Sequence, residues 1–266
     1  MSAATPSATP FDANRAAQAL ADAHARGERY QNLPAGIAPR TVAEAYAAQD
    51  AFVALYAERD GARAGAKIAT TTPVMQALMG IDHPCGGQIL AHRLFASPSR
   101  VALNAHINLR IECEVAVRLR DGLPAGGEPH TAQTAAGAVG EVMAAFELIE
   151  DRNADYAQAE ALTLIAENSW NAGVIYGEAR PFVSEETLSG LTGTLRINDG
   201  PPQQGVSDTP LEALAWVANL YAGRGQPLQA GDLIITGSLL PTFTINAGDD
   251  IHFEIEGLGG VTLSAS

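Results

Sequence analysis

The residues of this chain best suited to chemistry are charged groups set among apolar ones. In Arg110-Ile111-Glu112-Cys113-Glu114-Val115-Ala116-Val117, polar and apolar residues alternate. Successive side chains of a β-strand point to opposite faces, so Glu112 and Glu114 are expected to project together from one side. Two carboxylates that close repel unless water screens them or a cation bridges them, and oxygen ligands of this kind suit Mg²⁺, Mn²⁺ or Ca²⁺. The plainer alternative is a solvated strand face, with Ile111, Cys113, Val115 and Val117 packed inward and the carboxylates in water. Glu147 sits between Met143-Ala144-Ala145-Phe146 and Leu148-Ile149. A carboxylate buried there is costly unless it is paired or bound to a cation, which would suit a third metal ligand; on an amphipathic element it would simply be exposed. Lys67, between Ala66 and Ile68, is either a desolvated acid, base or cation, or a side chain whose stem lies on apolar surface with its head in water. Thr236-Gly237-Ser238 places small hydrogen-bonding groups at the end of the apolar run Leu233-Ile234-Ile235, as a ligand site or an ordinary turn would.

The elements that must position these groups are mixed. Phe11 to about Gly27 is Ala-rich with helical spacing. Thr41 and Glu44 form a T-x-x-E capping box for a second helix that ends at Asp60-Gly61. Ala66-Lys67-Ile68-Ala69 reads as a strand, and Pro73 to Met79 as a short helix stopped by Gly80. From Gln88 to residue 120 the pattern is strand-like. Thr131 to about Val142 reads as a helix, while Ala144 to Ile149 fits either its continuation or a strand. Pro210 to Gly223 is amphipathic, and the stretches 232–236, 242–245, 250–255 and 261–263 are strand-like. Without regular β-α alternation, the class is α+β.

Length and composition set outer bounds. The 266 residues are 47% hydrophobic and 17% charged, as expected of a globular protein with a substantial core. A net charge of −14 argues against partners held by their phosphates and against anionic lipid. It leaves an anionic small molecule possible where a metal or local cations reverse the field. Cys85 and Cys113 are too few for a disulfide framework, so a reducing, cytoplasmic setting is expected. Residues 1–11 read as a disordered tail without a secretory pattern, and no apolar run is long enough to span a bilayer.

Several of these pieces occur together, in order, in a known family. Lys67-Ile68 with Pro73 and Gly80-Ile81-Asp82, the stretch Arg110 to Ala116, Phe146-Glu147-Leu148-Ile149 with Arg152 and Asp155, Asn168 with Asn171-Ala172-Gly173, Gly231 to Gly237, and Asn246-Ala247-Gly248-Asp249 resemble the fumarylacetoacetate hydrolase superfamily. Within it the resemblance is to the 2-oxopent-4-enoate hydratase and 4-oxalocrotonate decarboxylase group. It implies a fumarylacetoacetase-like mixed β-sheet roll in one catalytic domain over 12–266, with a helical part at 12–64 and a β-rich core at 65–266. It also implies a homo-oligomer and Mg²⁺ or Mn²⁺ held by Glu112, Glu114 and Glu147. The expected substrates are small anionic 2-hydroxy-2,4-dienoates or their 2-oxo tautomers from aromatic catabolism, acted on by a lyase, foremost a hydratase. Lys67 matches the family's active-site lysine, with Asp82 and Cys85 as further catalytic candidates and Arg110, Asn168, Thr236 and Gly237 as candidates for binding substrate. Many hydratases read Asp-x-Pro-Asp-(Phe/Tyr)-Gly where this chain has Asp82-His83-Pro84-Cys85-Gly86-Gly87. The missing second acid puts hydration in doubt and keeps decarboxylation, C–C hydrolysis and a non-catalytic role open, and Gly86 is expected to widen the pocket beside the substrate tail.

Overall fold

The structure, a computed structural model, describes residues 10–183 and 187–266, so most of the expected N-terminal tail lies outside the described residues. Two helices lead: α1 (Ala13–Ala25) and α2 (Val42–Asp60). Asp12 caps α1 by accepting from the Arg15 amide, and Thr41 caps α2 by accepting from the Glu44 amide. Glu44 reaches back past Thr41 to the Arg40 amide, so its half of the expected capping box is shifted by one residue. Ala16, Ala17 and Leu20 of α1 pack on Ala48 and Phe52 of α2, small residues allowing close approach.

The chain then enters β1 (Arg63–Ala69), α3 (Pro73–Met79), β2 (Cys85–Leu90), β3 (Leu94–Ala96) and β4 (Ser99–Val101). The long pair β5 (Leu109–Leu119) and β6 (Val139–Glu150) is joined through α4 (Ala132–Ala138). After them come α5 (Ala161–Ala166), β7 (Asn171–Tyr176), β8 (Arg180–Pro181), β9 (Thr192–Ile197), β10 (Gln203–Val206) and α6 (Pro210–Gly223). The last strands are β11 (Leu233–Ser238), β12 (Phe243–Thr244), β13 (Asp250–Ile255) and β14 (Gly259–Ala265). The helix expected to run to Val142 stops at Ala138. Val139 to Val142 belong instead to β6, where Val142 pairs with Val117 and Val139 with Leu119. β-Branched residues and the continuous ladder favour the strand.

A nine-stranded mixed sheet runs β2-β1-β11-β5-β6-β7-β3, with β12 added to β5 and β8 to β6; a five-stranded sheet runs β10-β9-β13-β14-β4. The fold is therefore α+β, with N-terminal helices and a mixed-sheet core. The two faces of the large sheet differ. Cys113, Val115 and Val117 of β5, with Ala144 and Phe146 of β6, join the main core, where Phe146 lies 6.0 Å from Phe253 of the second sheet. Burying one such side chain contributes ~1.5–3 kcal/mol. The other face carries Ala116, Met143, Ala145, Val174 and Ile235, and beside this apolar floor stand the charged residues.

Candidate metal centre

Strand register assembles the carboxylates. Glu112 and Glu114 share a face of β5, and Glu112 lies directly across from Glu147 on β6. One carboxylate oxygen from each of Glu112, Glu114 and Glu147 lies within 4.8 Å of the other two. Glu114 and Glu147 are fully buried, so the solvated-face alternative fails for both. From β1, Lys67 Nζ comes within 3.2 Å of Glu147 Oε1, its side chain only 2% exposed.

Neighbours fix each acid. The Gly237 amide donates to Glu114 Oε2 at 2.7 Å, from a backbone with φ of +108° that side chains rarely adopt. Asn171 Nδ2 donates to Glu147 Oε1 at 2.7 Å, and Thr242 Oγ1 donates to Glu112 Oε1 at 2.5 Å. Even so, Glu114 Oε1 and Glu147 Oε2 are buried without a hydrogen-bond partner among the described residues. An orphaned, buried carboxylate oxygen is costly, and here two of them lie beside a third acid. All-oxygen donors, an excess of negative charge and unpaired lone pairs fit a hard divalent cation.

The electrostatics express the same excess. Burial, then repulsion from Glu147 and Glu112, pushes the Glu114 carboxyl well above its ordinary range. Glu147 is pushed up to about 7, by burial first, with Lys67 opposing and Glu112 adding repulsion. Burial pulls the Lys67 ammonium down, but Glu147, Glu112 and Glu114 together hold it above its ordinary value. Lys67 is therefore a retained cation rather than a lysine poised to act as a neutral base.

The other candidates from sequence are dispersed. Asp82 is exposed on the loop between α3 and β2. Cys85 is packed with Ala45, Tyr46 and Ile165, and burial raises its thiol, so no thiolate is at hand. Gly86 does not widen a substrate pocket: a Cβ there would meet Leu220 Cδ2 at 2.4 Å, because α6 fills the space. Thr236 spends its hydroxyl on the Val115 carbonyl at 2.9 Å. Asn168 clasps the Gln88 backbone, accepting from its amide at 2.6 Å and donating to its carbonyl at 2.8 Å. Arg110 shares the face of Glu112 and pairs with Asp151 at 3.1 Å.

Asn171 stands in the sequence only as part of the family pattern, with no role assigned, and Thr242 carries no local signal. Asn171 is delivered by Asn168, Ser169 and Trp170, all left-handed at φ of 55°, 49° and 59°. Each such residue costs roughly 1–3 kcal/mol, and the turn they make starts β7 with Asn171 facing Glu147.

Residues 88–264 match the fumarylacetoacetate (FAA) hydrolase C-terminal family. The chain belongs to the fumarylacetoacetate hydrolase family. Its place within it is the 2-oxopent-4-enoate hydratase and 4-oxalocrotonate decarboxylase group. It is 30% identical to a 2-keto-4-pentenoate hydratase of Paraburkholderia phymatum over 227 residues, covering 84% of this chain and 85% of that protein. It is 29% identical to a 2-oxo-hept-4-ene-1,7-dioate hydratase of Escherichia coli, covering 92% of this chain and 95% of the other. The fold is shared with 4-oxalocrotonate decarboxylase from Pseudomonas putida G7, complexed with magnesium and adipate, at a TM-score of 0.85, 24% identity and coverage of 96% and 97%. Membership of this group carries a catabolic lyase or decarboxylase chemistry.

Proposed function

We propose that this protein is a metal-dependent lyase for 2-hydroxy-2,4-dienoates or their 2-oxo-enoate tautomers, foremost a hydratase of aromatic meta-cleavage catabolism. The observation that carries the reading is the meeting of Glu112, Glu114 and Glu147, with two oxygens that have no partner among the described residues and Lys67 as the cation paired with Glu147. The three carboxylates would hold Mg²⁺ or Mn²⁺. Held there, the cation would supply Lewis acidity to a bound 2-oxo acid.

The chain's own groups do the rest. Thr242, Gly237 and Asn171 each occupy one oxygen of a different acid and so aim the remaining lone pairs. Lys67 keeps its proton on Nζ and offers positive charge from a buried position, where it would stabilise the negative oxygen of an enolate better than in bulk solvent. Ala116, Ala145 and Val174 give the site an apolar floor.

A decarboxylase is the second reading, and one observation favours it. With Asp82 exposed and Cys85 packed among Ala45, Tyr46 and Ile165, neither serves as a second acid, and loss of CO₂ needs the positive charge of Lys67 more than such an acid. Hydrolysis has less support. The His106–Glu150 pair, at 3.0 Å, has the composition to activate water, but Glu150 is three residues beyond Glu147 on β6 and so points to the opposite face.

The test is to supply Mg²⁺-loaded protein with a 2-hydroxy-2,4-dienoate and with an oxalocrotonate-like diacid, recording dienoate absorbance and released CO₂ together. Absorbance loss without CO₂ is the expected outcome; CO₂ release makes the enzyme a decarboxylase. No turnover of any such acid with Mg²⁺ or Mn²⁺ would sink the lyase reading and leave a binding or scaffold role.

A further inference from the structure

We propose that this protein carries a second small-molecule site, apart from the metal centre, that takes an organic anion with a flat apolar body, an arene carboxylate. The site is a cavity of about 460 Å³ between the helical pair and the large sheet, a size suited to a small molecule. Its walls come from α1, α2, the end of β2 and the start of β7. Lys67 and the three acids of the metal centre do not line it, although Asn171 does.

Part of the lining is apolar and aromatic. Phe52, Val53 and Tyr56 of α2 contribute to it, as do Leu90, Ile107 and Ala172. The rings of Phe52 and Tyr56 meet edge-on with centroids 5.1 Å apart, and the His24 ring tilts against Phe52 at 5.5 Å. Rings fixed in this way can receive another ring with little further ordering of side chains, which favours a flat body over a flexible chain.

The charges select an anion. Asp60, the last residue of α2, is buried and braces two arginines of the lining: Arg59 donates to its two oxygens from Nε at 2.8 Å and Nη2 at 2.6 Å, and Arg93 Nη2 lies 3.1 Å from Oδ2. Two guanidinium groups thus share one carboxylate, a local excess of positive charge in a chain of net charge −14. Both are partly exposed, at 61% for Arg59 and 32% for Arg93, so solvent and an incoming ligand can reach them. Arg59 is held flat over Tyr56, its Cζ 4.8 Å from the ring centroid. Arg93 Nε and Nη1 have no partner among the described residues, which leaves a fixed guanidinium with donors to spare for a carboxylate. The other charged groups of the wall are engaged. Glu150 accepts from the Ile107 amide at 3.0 Å and the Asn108 amide at 2.9 Å and meets His106 Nδ1 at 3.0 Å. Arg152 is held at all three nitrogens by Glu167 and the Glu28 carbonyl. An anion entering the cavity therefore has Arg93 and Arg59 as its counter-charge, with the rings of α2 beside them.

The test is calorimetric titration of the Mg²⁺-loaded protein with benzoate, acetate and inorganic phosphate, repeated after Mg²⁺ is removed. Binding that persists without Mg²⁺ belongs to this site, and in it benzoate should bind about 10-fold or more tightly than acetate or phosphate. Arg93→Gln should weaken benzoate about 10-fold, and it leaves Asp60 paired with Arg59, so the fold is spared. Tyr56→Leu should weaken benzoate about threefold and leave acetate unchanged. Acetate or phosphate binding as tightly as benzoate in the metal-free protein would overturn the proposal, by reducing the site to a patch of surface charge. So would benzoate binding that vanishes with Mg²⁺ or that Arg93→Gln leaves unaltered, since the ligand would then sit at the metal centre or elsewhere. Absence of benzoate binding at millimolar concentrations in the unaltered protein would overturn it with no variant needed.

Discussion

Two of the buried clusters of charge are built on opposite principles. In one, Glu167 accepts from Arg152 Nε at 2.9 Å and Nη2 at 2.5 Å and meets His24 Nε2 at 2.5 Å, while Arg152 Nη1 donates to the Glu28 carbonyl at 2.8 Å. A single carboxylate there faces a guanidinium and an imidazole, and the cluster ties α1 to the end of β6. In the other, three carboxylates face Lys67 and two of their oxygens have no partner among the described residues. The first balances its charge within the protein, although Glu167 Oε2 also lacks a hydrogen-bond partner among the described residues. The second is short of positive charge, which separates a structural ion pair from a site that needs a ligand.

Breaking each cluster should therefore have different consequences. Glu147→Gln should lower kcat/KM by about 10³-fold or more, since Lewis-acid stabilisation contributes several kcal/mol, measured at saturating Mg²⁺. The same change removes one of three repelling charges, so the metal-free variant should melt no lower than the metal-free parent; a large fall in its melting temperature would refute the charge-excess account. Arg152→Met should act the other way round. It leaves Glu167 buried without its guanidinium and should cost about 3–5 kcal/mol of stability, read from a denaturant titration, far more than Glu147→Gln.

Acidity sharpens the contrast with a smaller effect. In metal-free protein the Glu147 carboxyl is pushed up to about 7 from its ordinary 4.5. Between those values the folded chain keeps a proton that the unfolded chain has released, so stability falls as pH rises from about 4.5 to 7. The contribution is fully present below 4.5 and lost above the folded value. Saturating Mg²⁺, which replaces the proton as the neutralising charge, should flatten this slope in thermal melts; an unchanged slope would show that the metal binds elsewhere.

How much of this was legible in the sequence depended on distance along the chain. The shared face of Glu112 and Glu114 follows from alternation alone, and Glu147 and Lys67 stand out as charges in apolar runs. The ordered family resemblance joined them. The roles of Asn171, quoted only as part of the family pattern, and of Thr242 were not legible, because each serves an acid far away in sequence and is delivered by a turn or a sheet pairing formed only in the folded state. The same holds for Asp151, which pairs with Arg110, and for Tyr156, which donates to Asp151. Gly86 misled because a missing side chain looks like open space in a sequence, whereas Leu220 of α6 fills it. The helix expected over 131–142 was cut short because strand pairing with β5 outweighs local helical spacing from Val139 onward.

The direct pairing of Glu112 with Glu147 also bears on how this gene can drift. A one-residue insertion or deletion within either strand would carry one of the acids to the apolar side of the sheet, so length changes between Arg110 and Ile149 are tolerable only where the ladder is absent. The connection at 121–131, exposed along most of its course, is such a place. Among diverging descendants, variation in length should gather there while point substitutions spread along both strands, a pattern that ties the site's persistence to spacing as much as to residue identity.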